Sequence, residues 1–249
     1  MITLSIDTSE ARGSVAILRG RETLAVAVHE DHSDYSEWLI LAVETALSLA
    51  GIKMESVALY AVATGPGSFT GVRVGITTVK AWCEVYGKPV VGVSRLEALA
   101  VSEVPEVRRG KGSLGACPGL LAAFYDAQRG QVFGALYRRD GGSLVRVGDE
   151  MVIAPETFLE LASREADGDA VRWVSLDPEL ITKLPGWGER VRRGELVVKA
   201  SPELATAIGQ IAQERARAGK FSDPLELDAN YVRRSDAEIF WKGPAAHVR

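Results

Sequence analysis

The sequence predicts an α/β protein with two lobes, each built on a mixed β-sheet, and three observations carry this prediction. First, residues 2–28 hold three segments rich in β-forming residues, separated only by short turns, which predicts a meander. Second, helix and strand patterns alternate afterwards, so that residues 1–100 are predicted to run β-β-β-α-β-α-β-α. Third, Asp7 and later Asp126 each end an apolar strand before a turn, a glycine and another strand. A meander followed by alternating units is the pattern of a ribonuclease-H-like domain.

The repeated opening divides the chain into a first lobe, residues 1–100, and a smaller C-terminal lobe of related topology, residues 101–249. The polar, glycine-bearing stretch 101–115 between them is predicted to be a linker. The second lobe is predicted to hold three strands, a short helix at residues 155–162, two more strands and a helix at residues 202–218. Residues 229–241 are expected to pack back on either lobe, and the residues after them to be frayed.

A glycine-rich segment, GPGSFTG at residues 65–71, lies between a predicted strand and a helix that is predicted to run to about Tyr86. Ser68 is the predicted N-cap, and Gly87 is expected to end the helix. Free N–H groups at a positive helix end suit a phosphate. The segment nevertheless lacks the Gly-Lys-Ser/Thr of a Walker loop, and Thr70 stands where a dinucleotide fingerprint needs its third glycine. A phosphate site and a tight turn with a cap both stay open, and the second is favoured.

The helix after this segment has more apolar surface than one neighbour can cover. Its polar residues form one narrow stripe on a helical wheel: Thr70, Arg73, Thr77, Lys80 and Glu84. The helix predicted at residues 34–50, with Asp34 or Ser33 as its cap and Gly51 at its end, shows the same excess. Each is either an interior helix of its own lobe or a helix whose second face another subunit covers.

The partner hypothesis places an interface on both helices. Gly71 and Gly75 lie one turn apart and are expected to let another helix approach closely. A leucine at position 75 should therefore break the complex and leave the monomer folded. The predicted interface residues are Trp38, Leu39, Leu41, Ala42, Ala46, Gly71, Val74, Gly75, Val79, Trp82 and Tyr86.

Composition sets limits on partners and location. The 249 residues are 47% hydrophobic and 25% charged, which is typical of a globular protein. A formal charge of −4 argues against independent binding of nucleic acid by bulk electrostatics. The two cysteines, Cys83 and Cys117, form no disulfide framework and no CxxC site. No signal-peptide or membrane-span pattern is found, so a cytoplasmic protein that meets RNA through a partner is expected.

The two aspartates that follow the first strand of each lobe are candidate nucleotide-site residues. In sugar-kinase-like ATPases such positions supply a base and a ligand of the magnesium shell, so Asp7 and Asp126 could serve an ATPase. Each could equally be a turn aspartate that binds its own backbone. Residues 173–178 also lack the glycine pair expected of an adenosine clamp.

The histidines and serines give weaker signals. His29 and His32 occur with Glu30, Asp31 and Asp34 at a strand end, which fits either a metal site or a solvated polar turn, and the turn is favoured. A hydrolase elbow would need GxSxG, which the sequence lacks. No nucleophilic site is predicted.

Five motifs together resemble the bacterial YeaZ family, also called TsaB, of threonylcarbamoyladenosine biosynthesis proteins. The resemblance covers essentially the whole chain, and its most specific part is GPGSFTGVRVG. The motifs are Asp7-Thr8-Ser9, His32-Ser33, residues 65–75, Gly92-Val93-Ser94 and Tyr231-Val232-Arg233-Arg234.

This resemblance implies a two-lobed actin-like ATPase fold and a non-catalytic role. The family partners a TsaD-type transferase through two helices of the first lobe, and a TsaE-type ATPase joins the pair. The complex attaches threonylcarbamoyl to the adenine beside the anticodon of tRNAs that read A-starting codons, so tRNA would be met indirectly. Alone, such proteins tend to form homodimers through the same surface. No catalytic residue, metal or cofactor is expected, and Asp7, Thr8, Ser9 and Asp126 would be the remnant of a nucleotide cleft.

Two departures from catalytic relatives support that implication. Those relatives carry an HxxxH metal pair, and the matching positions here are Arg95 and Leu99. In addition, Ser175-Leu176-Asp177 replaces a glycine-bearing turn, so ATP binding in the chain's own cleft is not expected. The alternatives are an enzyme of the same fold, either an ATP-dependent kinase or a glycoprotease-like hydrolase, and a homodimeric scaffold unrelated to RNA.

Overall fold

The computed structural model describes residues 1–30, 34–102, 119–140 and 143–233. The elements associated with the first sheet are β1 (Ile2–Asp7), β2 (Ser14–Arg19), β3 (Glu22–Val28), α1 (Tyr35–Ala50), a 3-10 turn (Met54–Ser56), β4 (Leu59–Ala63), α2 (Phe69–Tyr86), β5 (Val90–Val93) and α3 (Arg95–Ser102). Those that follow are β6 (Leu120–Asp126), β7 (Val132–Asp140), β8 (Ser143–Ile153), α4 (Pro155–Ala166), β9 (Arg172–Ser175), α5 (Glu179–Thr182), α6 (Trp187–Arg192), β10 (Leu196–Lys199) and α7 (Ala205–Arg217).

The two sheets have the same strand order. The first runs β3-β2-β1-β4-β5 and the second β8-β7-β6-β9-β10, each with three antiparallel strands followed by two parallel ones. Asp7 pairs with Ser14 and Asp126 with Val132, so the two aspartates occupy equivalent sheet positions. The prediction of two mixed sheets flanked by helices is confirmed.

The last helix of each repeat packs on the other repeat's sheet. Helix α7 contacts β1, β2 and β4, where Ser5 Oγ donates to Ala205 O at 2.6 Å and Gln213 Nε2 donates to Thr3 Oγ1 at 3.0 Å. Helix α3 contacts β6 and β7 in return. One buried cluster therefore contains side chains of both sheets and both crossing helices, among them Leu59, Leu99, Tyr125 and Ile208.

The helix ends follow local sequence signals. Ser68 Oγ accepts a hydrogen bond from Gly71 N at 3.2 Å, and Gly87 ends α2 with φ 62°. Asp34 is the N-cap of α1, and Gly51 ends that helix with φ 63°. Ser33, the alternative cap, lies outside the described residues. These predicted ends are confirmed.

Several predicted features differ from the structure or lie beyond it. Helix α4 continues to Ala166, four residues past its predicted end, and α7 begins at Ala205 instead of residue 202. Helices α5 and α6 were missed because four and six residues are too short to show a helical period. Most of the predicted linker, Cys117 and residues 234–249 lie outside the described ranges. Within those ranges no helix combines the length and apolarity needed to cross a membrane.

Residues 220–233, here called the C-terminal strap, follow α7 without regular structure and contact both lobes. Ser222 N donates to Val90 O at 2.9 Å, and Asn230 N donates to Thr64 O at 2.7 Å. Arg233 then reaches the second lobe, where its Nη1 donates to Ala127 O and its Nη2 to Gln131 Oε1, both at 2.6 Å. The strap thereby joins the two lobes beside the cleft between them.

Candidate functional site

Asp7 is fully buried at the end of β1. Its Oδ1 accepts hydrogen bonds from Ser9 N, at 3.0 Å, and from Ser9 Oγ, while its Oδ2 lies 3.1 Å from Arg95 Nε. Both side chains of the ion pair are 0% exposed. Burial alone would lower the pKa of Arg95, but the adjacent Asp7 carboxylate raises it above its ordinary value. Arg95 therefore neutralises the charge of Asp7, the first of the two candidate nucleotide-site aspartates.

Arg95 also connects the lobes. Its Cζ lies 4.8 Å from the ring centroid of Tyr125, and Tyr125 Oη donates to Pro66 O at 2.8 Å. Among the described residues, its two Nη nitrogens have no hydrogen-bond partner. Leu99, the second position matched to the metal pair of catalytic relatives, is fully buried in the core.

Asp126 is held by its own turn. Its carboxylate accepts from Gln128 N at 2.7 Å and from Gln128 Nε2 at 2.9 Å, while its own N–H donates to Asp177 Oδ2 at 2.9 Å. Asp177 is a residue of the segment that replaces the expected glycine-bearing turn. Both Asp7 and Asp126 thus bind the backbone of the turns that follow them, as the turn interpretation predicts.

Sequence reasoning missed Glu10, which lines a cavity of about 570 Å³ in the cleft together with Ser68, Phe69, Asp126 and Tyr231. Burial raises the pKa of Glu10 to about 7, Arg95 acts in the opposite direction, and the nearby carboxylates of Asp7, Asp177 and Asp126 raise it further. A glutamate in a short polar turn resembles a solvated residue, so the sequence carried no signal for its burial.

The glycine-rich segment faces the chain's own β1–β2 turn, residues 8–13. Ser68 N donates to Ser9 O at 2.7 Å, and a side chain at Gly67 would clash with Ser9 O. A side chain at Gly71 would likewise clash with Thr8 O. Backbone carbonyls thus cover the start of α2. This favours the interpretation as a tight turn with a helix cap and argues against a phosphate site.

The prediction that a helix of another subunit crosses α2 at Gly71 and Gly75 is wrong. A Cβ at Gly75 would lie 2.5 Å from Thr8 Oγ1 and 3.4 Å from Val62 Cγ2. Both glycines therefore face the chain's own first lobe and leave no room there for another helix. Four more predicted interface residues are likewise covered by their own lobe because they point at that sheet: Leu39, Ala42, Ala46 and Val79, all 5% exposed or less. A bulky residue at position 75 would disturb the fold itself.

The remaining surface of α1 and α2 carries several large apolar side chains among its polar ones. Leu41 is 64% exposed, and four residues absent from the predicted set, Ile40, Leu49, Phe69 and Val85, are 40% to 72% exposed. We call the exposed and half-buried apolar residues of the two helices the apolar face: Trp38, Ile40, Leu41, Leu49, Phe69, Val74, Trp82, Val85 and Tyr86. Large exposed apolar side chains on two neighbouring helices are typical of interaction sites.

A groove of about 500 Å³ lies between α1 and α2, lined by Tyr35, Ser36, Leu39, Ile40, Phe69, Thr70, Arg73, Val74, Thr77 and Thr78. The polar stripe predicted on α2 is partly occupied by the C-terminal strap. Arg73 Cζ lies 3.6 Å from the Phe69 ring centroid, and its Nε donates to Tyr231 Oη at 2.7 Å. Lys80 Nζ donates to Leu227 O at 2.9 Å. The sheet, the strap and α1 each cover part of α2, while Val85 of the apolar face is 72% exposed.

His29 belongs to an aromatic cluster under the start of α1. Its Nδ1 lies 2.9 Å from Ala11 O, and its ring centroid lies 4.5 Å from that of Tyr35 and 5.0 Å from that of Trp38. His32 and Asp31 lie outside the described residues. Within the part of the chain that the structure describes, no three His, Cys, Asp or Glu side chains form a group suited to a metal ion.

The fold and the cleft define the class of protein. Two sheets of identical order, each with an aspartate after its first strand, form the actin-like ATPase fold. The same fold occurs in a ROK hexokinase from Thermus thermophilus, which is 13% identical, covers 87% of this chain and 100% of its own, and superposes with a TM-score of 0.55.

Sequence comparison places the chain within this class. The family model described as TsaD, tRNA N6-adenosine threonylcarbamoyltransferase, matches residues 24–175, more than half of the chain, and the chain belongs to this family. Two relatives are named tRNA threonylcarbamoyladenosine biosynthesis protein TsaB. The Bacillus subtilis protein is 31% identical over 65% of this chain and 66% of its own length, and the Escherichia coli protein is 27% identical over 92% and 96%.

A solved structure agrees with these matches. YeaZ from Pseudomonas aeruginosa is 25% identical, covers 92% of this chain and 99% of its own, and superposes with a TM-score of 0.67. The resemblance to the YeaZ family and the predicted fold class are therefore both confirmed.

Proposed function

We propose that this chain is a non-catalytic partner of a TsaD-type transferase in the synthesis of threonylcarbamoyladenosine in tRNA. The observation that carries the proposal is the apolar face on α1 and α2, where five large apolar side chains are each at least 40% exposed. A surface of this composition gains free energy when another protein covers it. The assignment to threonylcarbamoyladenosine synthesis follows the names of the two TsaB relatives.

The cleft supports a non-catalytic role. The carboxylates of Asp7 and Asp126, the positions that serve magnesium and proton transfer in sugar-kinase-like ATPases, bind Ser9, Arg95 and Gln128. A charge already paired and buried is costly to release for a ligand. The chain would thus contribute binding and leave the transfer reaction to its partner.

The other members of the assembly follow from the same proposal. A TsaE-type ATPase would join the pair, tRNA would be met through the complex, and the protein would work in the cytoplasm, where tRNA is modified. A second copy of the chain would cover the apolar face when the transferase is absent.

The double substitution Leu41→Asp and Val85→Asp tests the interface. Both side chains are more than 60% exposed, so the monomer should remain folded, whereas two buried carboxylates should weaken transferase binding by roughly 100-fold or more. Isothermal titration calorimetry with the transferase measures the loss. Val191→Asp, at a 53% exposed position of α6 in the second lobe, is the matched control. Equal binding by the double variant and the control would refute the interface.

A modification assay tests the division of labour. The transferase system should modify tRNA slowly without this chain and faster with it, while this chain with the threonylcarbamoyl donor and tRNA alone should give no product. Product formed by this chain alone would contradict the non-catalytic role.

A further inference from the structure

The spacing of α1 and α2 is not set by direct packing where the groove lies. The groove of about 500 Å³ separates the N-terminal parts of the two helices, with Tyr35 and Ser36 on one wall and Phe69 and Thr70 on the other. Both helices pack on the first sheet, and their N-terminal ends share one further support. Both helices contact the β1–β2 turn, whose other side presents Glu10 to the inter-lobe cleft.

Helix α2 rests on this turn through close backbone contacts. Thr8 Oγ1 donates to Gly71 O at 2.7 Å, and Ser9 O accepts from Ser68 N at 2.7 Å. The glycines at 67, 71 and 75 leave no room for a side chain between the helix and the turn. Any change in the position of Thr8 is therefore transmitted to the first two turns of α2.

Helix α1 rests on the same turn through its first residue. Tyr35 Oη donates to Glu10 O, and Gly13 lies so near the phenol that a Cβ there would clash with it. His29 stacks on Tyr35 and binds Ala11 O from the adjacent strand end. The six-residue turn thus carries the N-terminal ends of both helices.

We infer that the β1–β2 turn sets the width of the groove, and that Thr8 and Tyr35 are positioning residues for partner docking. This inference rests on the proposed function, because it assumes that the partner covers α1 and α2. Thr8 is only 1% exposed, so it acts on a docked partner through α2 and not by contact. Tyr35 lines the groove, so its hydroxyl must be tested apart from its ring.

The main test is the pair Thr8→Val and Thr8→Ser. Valine keeps the shape of threonine and removes the donor to Gly71 O, whereas serine keeps the donor. Thr8→Val should weaken transferase binding about tenfold, the order of coupling between groups in contact, and Thr8→Ser should bind within about twofold of the natural chain. Tyr35→Phe, which keeps the ring and removes the donor to Glu10 O, should behave like Thr8→Val.

A second measurement separates positioning from general destabilisation. Spin labels on Glu37→Cys of α1 and Thr77→Cys of α2, both at exposed positions near the groove, in a chain with Cys83→Ala and Cys117→Ala, report the distance between the helices by double electron–electron resonance. Thr8→Val should shift or broaden this distance distribution. Ser163→Ala, which removes hydrogen bonds to Leu159 O and Arg190 in the second lobe, should lower stability without changing the distance or the affinity.

The outcomes distinguish this inference from the proposed function. An unchanged affinity and an unchanged distance in Thr8→Val would overturn the positioning role while the Leu41 and Val85 variants still lose binding. Loss of affinity in Thr8→Ser equal to that in Thr8→Val would also overturn it, because the hydroxyl would then be irrelevant. If the Leu41 and Val85 variants bind normally, the proposed function itself fails, and the distance measurement alone still decides whether the turn spaces the helices.

Discussion

Helices α1 and α4 occupy equivalent places, each after the third strand of its sheet, yet they present opposite surfaces to the outside. The exposed residues of α4 are all polar: Glu156, Thr157, Glu160 and Arg164. Those of α1 include Ile40, Leu41 and Leu49. The same fold therefore covers one sheet with an ordinary solvent-facing helix and the other with a surface suited to a partner. The proposed docking surface is therefore a feature of the first lobe and not of the fold.

The turns after β1 and β6 also differ between the two lobes, although they occupy equivalent places in the two sheets. Asp7 is fully buried and paired with Arg95, whereas Asp126 is closed by Gln128 in a turn that lines the cleft. The first turn contacts the N-terminal ends of α1 and α2. The second remains a turn at the cleft surface. Four predictions test this difference.

The largest effect is expected when the buried ion pair is broken. Arg95→Met should cost about 3–5 kcal/mol of unfolding free energy, because Asp7 is left as an uncompensated buried charge. Asp126→Asn, at the equivalent turn, should cost only about 1 kcal/mol, the value of one hydrogen bond. Urea unfolding at pH 7 measures both. Similar losses in the two variants would remove the distinction between the turns.

Gly75→Leu should destabilise the isolated protein by about 3 kcal/mol, since the added side chain meets Thr8 and Val62 in a filled space. Gly188→Leu on α6 is the control, because nothing lies within 4 Å of its Cβ position, and its effect should stay within about 1 kcal/mol. Thermal unfolding of the monomers gives the comparison. A folded, fully stable Gly75→Leu variant would restore that glycine to the interface.

Glu10 should make stability fall with rising pH. Its pKa is about 7 in the folded protein against an ordinary value of 4.5, so the folded state binds the proton more tightly. The resulting stabilisation is complete below pH 4.5 and is lost as the pH rises through 7, a change on the order of 2 kcal/mol.

Glu10→Gln should flatten this part of the pH–stability curve, while Glu156→Gln, at an exposed position of α4, should keep it. Urea unfolding at intervals from pH 4.5 to 8 gives the curves. A wild-type profile that rises over this interval would contradict the burial of Glu10.

The smallest effect on stability is expected at Leu49→Glu, which should change the unfolding free energy by no more than about 0.5 kcal/mol, as for other surface positions. Its consequence should appear in association. Analytical ultracentrifugation should show weaker self-association than for Val145→Glu, a control at a 49% exposed position of the second sheet. Equal self-association would mean that α1 is not part of the contact between copies.

The sequence revealed the helix ends, the repeated aspartates and the excess of apolar residues on α1 and α2. It did not reveal which of those residues remain free. Leu39 and Ile40 are adjacent apolar residues of α1, yet one is 1% and the other 45% exposed. Periodicity finds an apolar stripe, but the orientation of the helix on its sheet decides which part of a wide stripe is covered.

What the sequence determined by itself is local: Ser68, Gly87 and Gly51 bound their helices because caps and positive φ act within one turn of the chain. Only the tertiary structure decided the pairing of Arg95 with Asp7, the crossing of α3 and α7 between the sheets, and the contact of Gly75 with Thr8. These groups are tens of residues apart, and contacts at such separation depend on how whole elements pack. No short-range pattern of residue types records that packing.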